Sequence, residues 1–204
     1  MSTPSTREVI LLSASRLFAT RGYSAVSMRD VASAVGVTPA NLYHHFKDKK
    51  ELIRESLAFV FINKMKPIES LMSTSEEPAQ RVEMLLLLFS RLLMEDEIFA
   101  KLLMRELLDG DGERLRFLAQ NVFQSSFSIL VQLIYDYFET TNPVFFAISL
   151  VGAVIGHYHL SGMLHHLKEG RPEHGDPEII TRQLMEELRF KVRTKAAHQE
   201  AFHG

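Results

Sequence analysis

The chain has 204 residues, of which 46% are hydrophobic and none is cysteine, so it can bury a sizeable core but can form neither a disulfide nor a thiolate metal site. Without a secretory leader ahead of the first predicted helix, a reducing cytoplasm is the expected compartment. The net charge of −2 is unevenly placed: residues 1–50 hold seven Lys/Arg against three Asp/Glu, a net of +4, and the rest hold sixteen against twenty-two, a net of −6. A basic head on an acidic body points to a polyanion at the N-terminal end.

Ile10, Ala14, Leu17 and Phe18 follow an i, i+4, i+7, i+8 stripe and predict a first helix with one buried face, closed at Gly22-Tyr23. A second helix is predicted to open at Ser27, an N-cap residue with Asp30 three places on, where an acid can reach back to the cap's own N–H. Val31, Ala32 and Val35 give it an apolar face, and Gly36 stands where the chain must leave the helix in a left-handed conformation. Val37 fills the corner, Thr38 caps the next helix, and Pro39 takes its first position, where a missing N–H costs nothing.

Leu42 and Phe46, four apart, anchor this short third helix on the second. Ala40, Asn41, Tyr43, His44 and His45 are left for its outward face. Ala40 lets such a helix sink into a major groove, and Asn41 offers a donor and an acceptor together to an adenine edge. Tyr43 and His44 stand where side chains flanking an inserted helix meet phosphates. Helical hairpins with a glycine turn also occur in proteins that never touch nucleic acid, so the flanks matter. Asp48 is a predicted N-cap that puts Lys49 and Lys50 in the first turn of a fourth helix. Two cations there oppose the helix dipole unless a phosphate uses them.

Together, Ile10-Leu11, Ala14, Leu17-Phe18, Gly22-Tyr23, Val26-Ser27, Asp30-Val31-Ala32, Val35-Gly36-Val37, Leu42-Tyr43-His44-His45-Phe46, Lys49 and Leu52 resemble the N-terminal domain of the TetR family of bacterial transcriptional regulators. The resemblance implies an all-α protein of about nine helices. It divides the chain into a three-helix helix-turn-helix domain over 1–50, with the motif at 27–46, and a helical effector-binding and dimerisation domain over 51–204. It further implies a homodimeric repressor, released by a small-molecule effector from a palindromic operator on double-stranded DNA. Ser27, Arg29, Thr38, Tyr43, His44 and Lys49 would then contact phosphates, and Pro39, Ala40 and Asn41 would face bases. Many relatives carry Lys or Arg where Pro39 stands, so contact of Pro39 and Ala40 with thymine methyls takes the place of guanine reading there.

Beyond the hairpin, six helices are predicted, roughly 49–73, 79–94, 97–109, 112–140, 143–168 and 176–195, separated by Gly-, Pro- and Asp-rich breaks, with no strand pattern. The longest apolar runs, 84–90 and 144–155, fall short of the roughly 20 residues needed to cross a bilayer, so no membrane partner is expected. Segment 143–168 is apolar on nearly every side, and Gly152 and Gly156 leave a groove in it. With Ile179 to Val192 it predicts a four-helix homodimer interface, the alternative being the central core helix of a monomer.

Phe89, Phe99, Met104, Phe123, Phe127 and Tyr158 are candidate walls of a pocket for an apolar or aromatic effector, with His157 as a polar anchor, although ordinary packing accounts for the same side chains. His157, His159, His165, His166 and His174 cluster, but no pair has the i, i+4 spacing that puts two imidazoles of one helix on a metal, so neither metal nor cofactor is expected. The chain carries no phosphate loop, HExxH, nucleophile elbow or Cys/His couple, and no catalytic residue is assigned. The competing reading is a ligand-independent dimeric DNA-binding adaptor controlled by a protein partner.

Overall fold

A computed structural model of the chain describes residues 4–70, 76–138, 142–164 and 166–188, and among them every regular element is helical. Helix α1 (Thr6–Arg21) starts at Ser5, whose hydroxyl accepts from the Glu8 N–H while the Glu8 carboxylate accepts from the Ser5 N–H. Helix α2 (Met28–Val35) repeats this box with Ser27 and Asp30. Its far end is closed by Gly36 at φ 70, the Gly36 N–H donating to the Ser33 carbonyl at 3.2 Å and the Val37 N–H to the Ala32 carbonyl at 3.0 Å. This is the paired bond that a left-handed residue makes available at a helix end.

Helix α3 (Pro39–His45) is capped by Thr38, which accepts from the Asn41 N–H at 3.2 Å, and it ends one residue early, since Phe46 is extended while its ring stays buried. Asp48 caps α4 (Lys49–Ser70), accepting from the Glu51 N–H at 2.9 Å. There follow α5 (Pro78–Glu95), α6 (Glu97–Asp109), α7 (Gly112–Leu118), α8 (Gln124–Phe138), α9 (Pro143–Leu164) and α10 (177–188).

Two boundaries differ from the sequence expectation. The helix expected over 112–140 carries a π turn at Ala119–Phe123 between α7 and α8, and there the Asn121 amide donates to the Phe117 carbonyl at 2.9 Å, a side chain inserted into the backbone ladder. The helix expected to reach 168 stops at Leu164, and the chain folds back on that end. A Cβ on Gly170 would lie 1.6 Å from the Leu164 carbonyl oxygen, so only glycine permits the approach. Residues 71–73, 139–140, 165 and 189–195, which the predicted helices also included, lie outside the described residues.

The chain forms two compact units, Met1–Lys66 with Glu97–Gln124, and Pro67–Asp96 with Ser125–Gly204. Their limits fall elsewhere than the boundary expected after residue 50. The reason is aromatic packing: Phe61 of α4 meets Phe99 of α6 edge-on at 5.3 Å and Phe123 of the π turn at 5.4 Å. In the first unit α1 also packs on α6, and Ile10, Phe18, Val31, Leu42, Phe46 and Leu52 bury the back of the hairpin.

In the second unit α5 packs on α9, and Ile180, Met185 and Leu188 bury one side of α10. Helix α9 buries only Ala147, Leu150 and Val154. At 100° per residue, Phe145, Ile148, Gly152, Gly156, His159 and Met163 lie within about 80° on the opposite side. Phe145 is 68% exposed, Ile148 57% and Met163 52%. Both α9 and the 112–138 stretch are long and apolar enough, by length and composition, to cross a bilayer, a length that the uninterrupted apolar runs understate. The 144–155 run contains Ser149 and ends before Gly156 and His157, residues that an average over a whole helix absorbs.

Candidate nucleic-acid interface

Local chemistry fixes the pose of α3. Its capping threonine, its first-turn proline and its glycine-closed approach from α2 leave little backbone freedom, and Leu42, with no exposed surface, pins it to the core beside Phe46. Every other early position turns outward: Thr38, Pro39, Ala40, Asn41, Tyr43 and His44 are all exposed, Tyr43 by 54%. His45 differs from expectation in being half-buried, its ring 6.3 Å from that of Phe46.

The surrounding polar groups have distinct degrees of commitment. Thr38 accepts from the Asn41 N–H, which leaves the hydroxyl proton available to an outside acceptor such as a phosphate oxygen. Ser27 is more engaged: its N–H donates to Asp30 Oδ2 at 2.7 Å and its hydroxyl to the same oxygen at 2.5 Å. Those two bonds, the hydroxyl's first, hold the Asp30 carboxyl below its ordinary pKa, with smaller help from Arg21 and Lys49. Lys49, half-buried in the first turn of α4, therefore stands within electrostatic reach of the start of α2, and exposed Arg29 lies one residue ahead of Asp30. Cations and hydroxyls thus border a short helix whose own outward groups are small or amide-bearing, an arrangement that can clamp phosphates and present Asn41 to a base edge.

The effector candidates are split between the units. Phe99, with no exposed surface, Met104, at 6%, and Phe123 belong to the first unit, where Phe99 and Phe123 serve the aromatic cluster around Phe61. Phe89, Phe127, His157 and Tyr158 belong to the second and are half-buried. Of the seven, Tyr158 alone lines the second unit's cavity of about 420 Å³, together with Met94, Ser161, Asp176 and residues of the 172–177 turn. A cavity of about 590 Å³ in the first unit is walled by Lys50, Arg54, Arg114, Phe117 and Asn121 among others, none of them a sequence candidate. Among the described residues no group of three or more His, Asp or Glu is arranged to hold a metal ion.

Sequence reading missed a buried polar group behind the hairpin, Tyr23 with Glu106 and Arg114. The available signal was that Glu106 falls on the same helical face as Phe99, Leu102 and Leu103.

Residues 10–56 match the family model described as bacterial regulatory proteins, tetR family. Over 53 residues the chain is 42% identical to the HTH-type transcriptional repressor KstR2 of Mycolicibacterium smegmatis, a match that covers 26% of each protein. The fold resembles that of the fatty acid degradation regulator FadR from Bacillus halodurans, with a TM-score of 0.70 at 14% identity over 91% of this chain and 95% of that one. It also resembles AibR in complex with isovaleryl coenzyme A and operator DNA, with a TM-score of 0.68 at 20% identity over 89% and 96%.

Proposed function

We propose, because this chain belongs to the TetR family of bacterial regulatory proteins, that it is a cytoplasmic, sequence-specific regulator of transcription acting as a homodimer on double-stranded DNA. Two copies of α3 would enter successive major grooves of a palindromic operator. Asn41 would read an adenine edge, Pro39 and Ala40 would meet thymine methyls, and Ser27, Arg29, Thr38, Tyr43, His44 and Lys49 would hold phosphates. The observation that carries this reading is the economy of α3, a seven-residue helix that buries Leu42 alone and exposes its first three residues, Tyr43 and His44.

The apolar outer face of α9 supports the homodimer. A Cβ added at Gly152 or Gly156 would meet nothing within 4 Å, so no packing among the described residues explains two glycines on that stripe. Close approach of the same helix from a second copy does. Repression relieved by a small apolar or aromatic effector, held by the helices beyond residue 50, is supported by the apolar side chains there and by the likeness to AibR, whose structure holds isovaleryl coenzyme A and operator DNA. The effector can act only to the extent that it binds better to protomers whose heads are wrongly spaced for DNA.

Selection of duplexes from a random pool by the purified chain tests the central claim. The expected result is enrichment of a palindrome whose affinity falls steeply with added salt. No enrichment at moderate ionic strength would overturn the reading. Titration of the selected complex with acyl-coenzyme A thioesters and aromatic compounds then tests the effector class, with release of DNA as the expected outcome.

A further inference from the structure

The first unit buries one carboxylate. Glu106 of α6 is 1% exposed, on a face otherwise made of apolar residues. It accepts a hydrogen bond from the Tyr23 hydroxyl and others from Arg114 Nε, at 3.2 and 3.0 Å to its two oxygens. The Arg114 guanidinium lies 4.8 Å from the centre of the Tyr23 ring and that of Arg105 lies 5.9 Å away, while Phe18 meets the ring edge-on at 5.5 Å. Burial, and after it the bond to Glu106, drives the Tyr23 pKa upward and keeps the hydroxyl a donor. One residue earlier, Gly22 has φ +83, and a Cβ there would fall 3.0 Å from Arg105 Nη1, so the backbone itself is pressed against the cluster. Ser27, which caps α2, follows only four residues after Tyr23.

A buried ion pair is a poor source of net stability, because desolvation offsets its attraction. It does impose direction. Here one carboxylate ties the end of α1 to α6 and to α7, at the loop from which α2 and α3 are suspended. We infer that Glu106 is a positioning residue for DNA binding: by holding Tyr23 and Arg114 together it sets the orientation in which the 22–26 loop delivers the reading hairpin. The inference rests on the DNA-binding reading above.

Tyr23→Phe and Glu106→Gln test it on the full chain, with the duplex that the parent protein selects from a random pool as the probe. The same duplex with its half-sites moved apart or together by one base pair serves alongside. Tyr23→Phe should weaken binding to the selected duplex by about tenfold, the scale of one lost hydrogen bond to a charged group, at a temperature where its helical circular dichroism matches the parent. Glu106→Gln should do the same, and the double variant should be no worse than the weaker single one. Discrimination against the altered spacings should shrink in all three, which mere destabilisation does not produce. Should Glu106→Gln fail to fold, Tyr23→Phe decides, since it keeps the ring and the Glu106–Arg114 pair. A lowered melting temperature with parental affinity and spacing preference would overturn the inference. If the parent selects no duplex, the DNA-binding reading itself falls; if it does and the variants bind like it, the positioning role alone falls.

Discussion

Helix α3 has seven residues and buries one, while α9 has twenty-two and buries three, yet the two exposures have different meanings. The outward groups of α3 are a proline, a small methyl, an amide, a phenol and an imidazole, which lose little by facing water and can each meet DNA. The outward groups of α9 include Phe145, Ile148 and Met163, whose exposure is unfavourable unless something covers them. A short polar face fixed by caps suits the proposed reading of DNA. A long apolar face opposite the buried one, which no described residue covers, fits the proposed contact with a second copy.

The harshest challenge to this contrast is to remove the single anchor of α3. Leu42→Ala would leave a cavity in a site with no exposed surface and should destabilise the chain by about 3 kcal/mol, measured by urea unfolding, with loss of binding to the selected duplex. Retained binding would mean that α3 does not depend on its one buried side chain. On α9 the corresponding change is Phe145→Lys with Ile148→Lys. Because both residues are exposed in the protomer, helical content should hold, while light scattering at micromolar concentration should show a monomer, and operator affinity should fall about fiftyfold as the second half-site is lost. A dimer that survives both lysines would remove α9 from the interface.

The hairpin was legible because each of its turns is dictated by one residue's chemistry. Ser27 with Asp30, Gly36, Thr38 with Pro39, and Asp48 with Glu51 cap and close their helices through neighbours at most four places away. What escaped depends on residues far apart in sequence. Glu106 is buried by meeting Tyr23, eighty-three positions away, and Phe61 gathers Phe99 and Phe123 into the N-terminal unit instead of a separate effector domain. The stop at Leu164 likewise comes from the backbone of Gly170 folding onto the helix end, which helical periodicity does not register.

A finer test separates the groups around α3. Lys49→Ala and Tyr43→Ala should each weaken binding by about fivefold on matched and mismatched duplexes alike, and Lys49→Ala should reduce the salt slope by about one. Asn41→Ala should instead alter which duplexes are enriched from the pool. Parental base preference in Asn41→Ala would transfer base reading to other residues of α3.

The smallest expected effect probes the inner face of α9, on the same side as Leu150 and Val154, where His157 is half-buried. Burial, followed by the influence of His174, sets the His157 pKa below the ordinary histidine value, so the folded protein prefers the neutral ring. The unfolded chain takes up that proton near pH 6.5, before the folded protein does, and excess proton uptake by the unfolded state lowers stability. The contribution is therefore complete above about pH 6.5 and declines as the pH falls toward the lower, folded value. Melting temperatures of the parent and of His157→Gln, compared at pH 7.5 and at successively lower pH, should show the parent losing more than the variant across that window. Equal losses would mean that the ring is as well solvated as one on the outer stripe, and that the inner face of α9 excludes water less than the packing of Leu150 and Val154 requires.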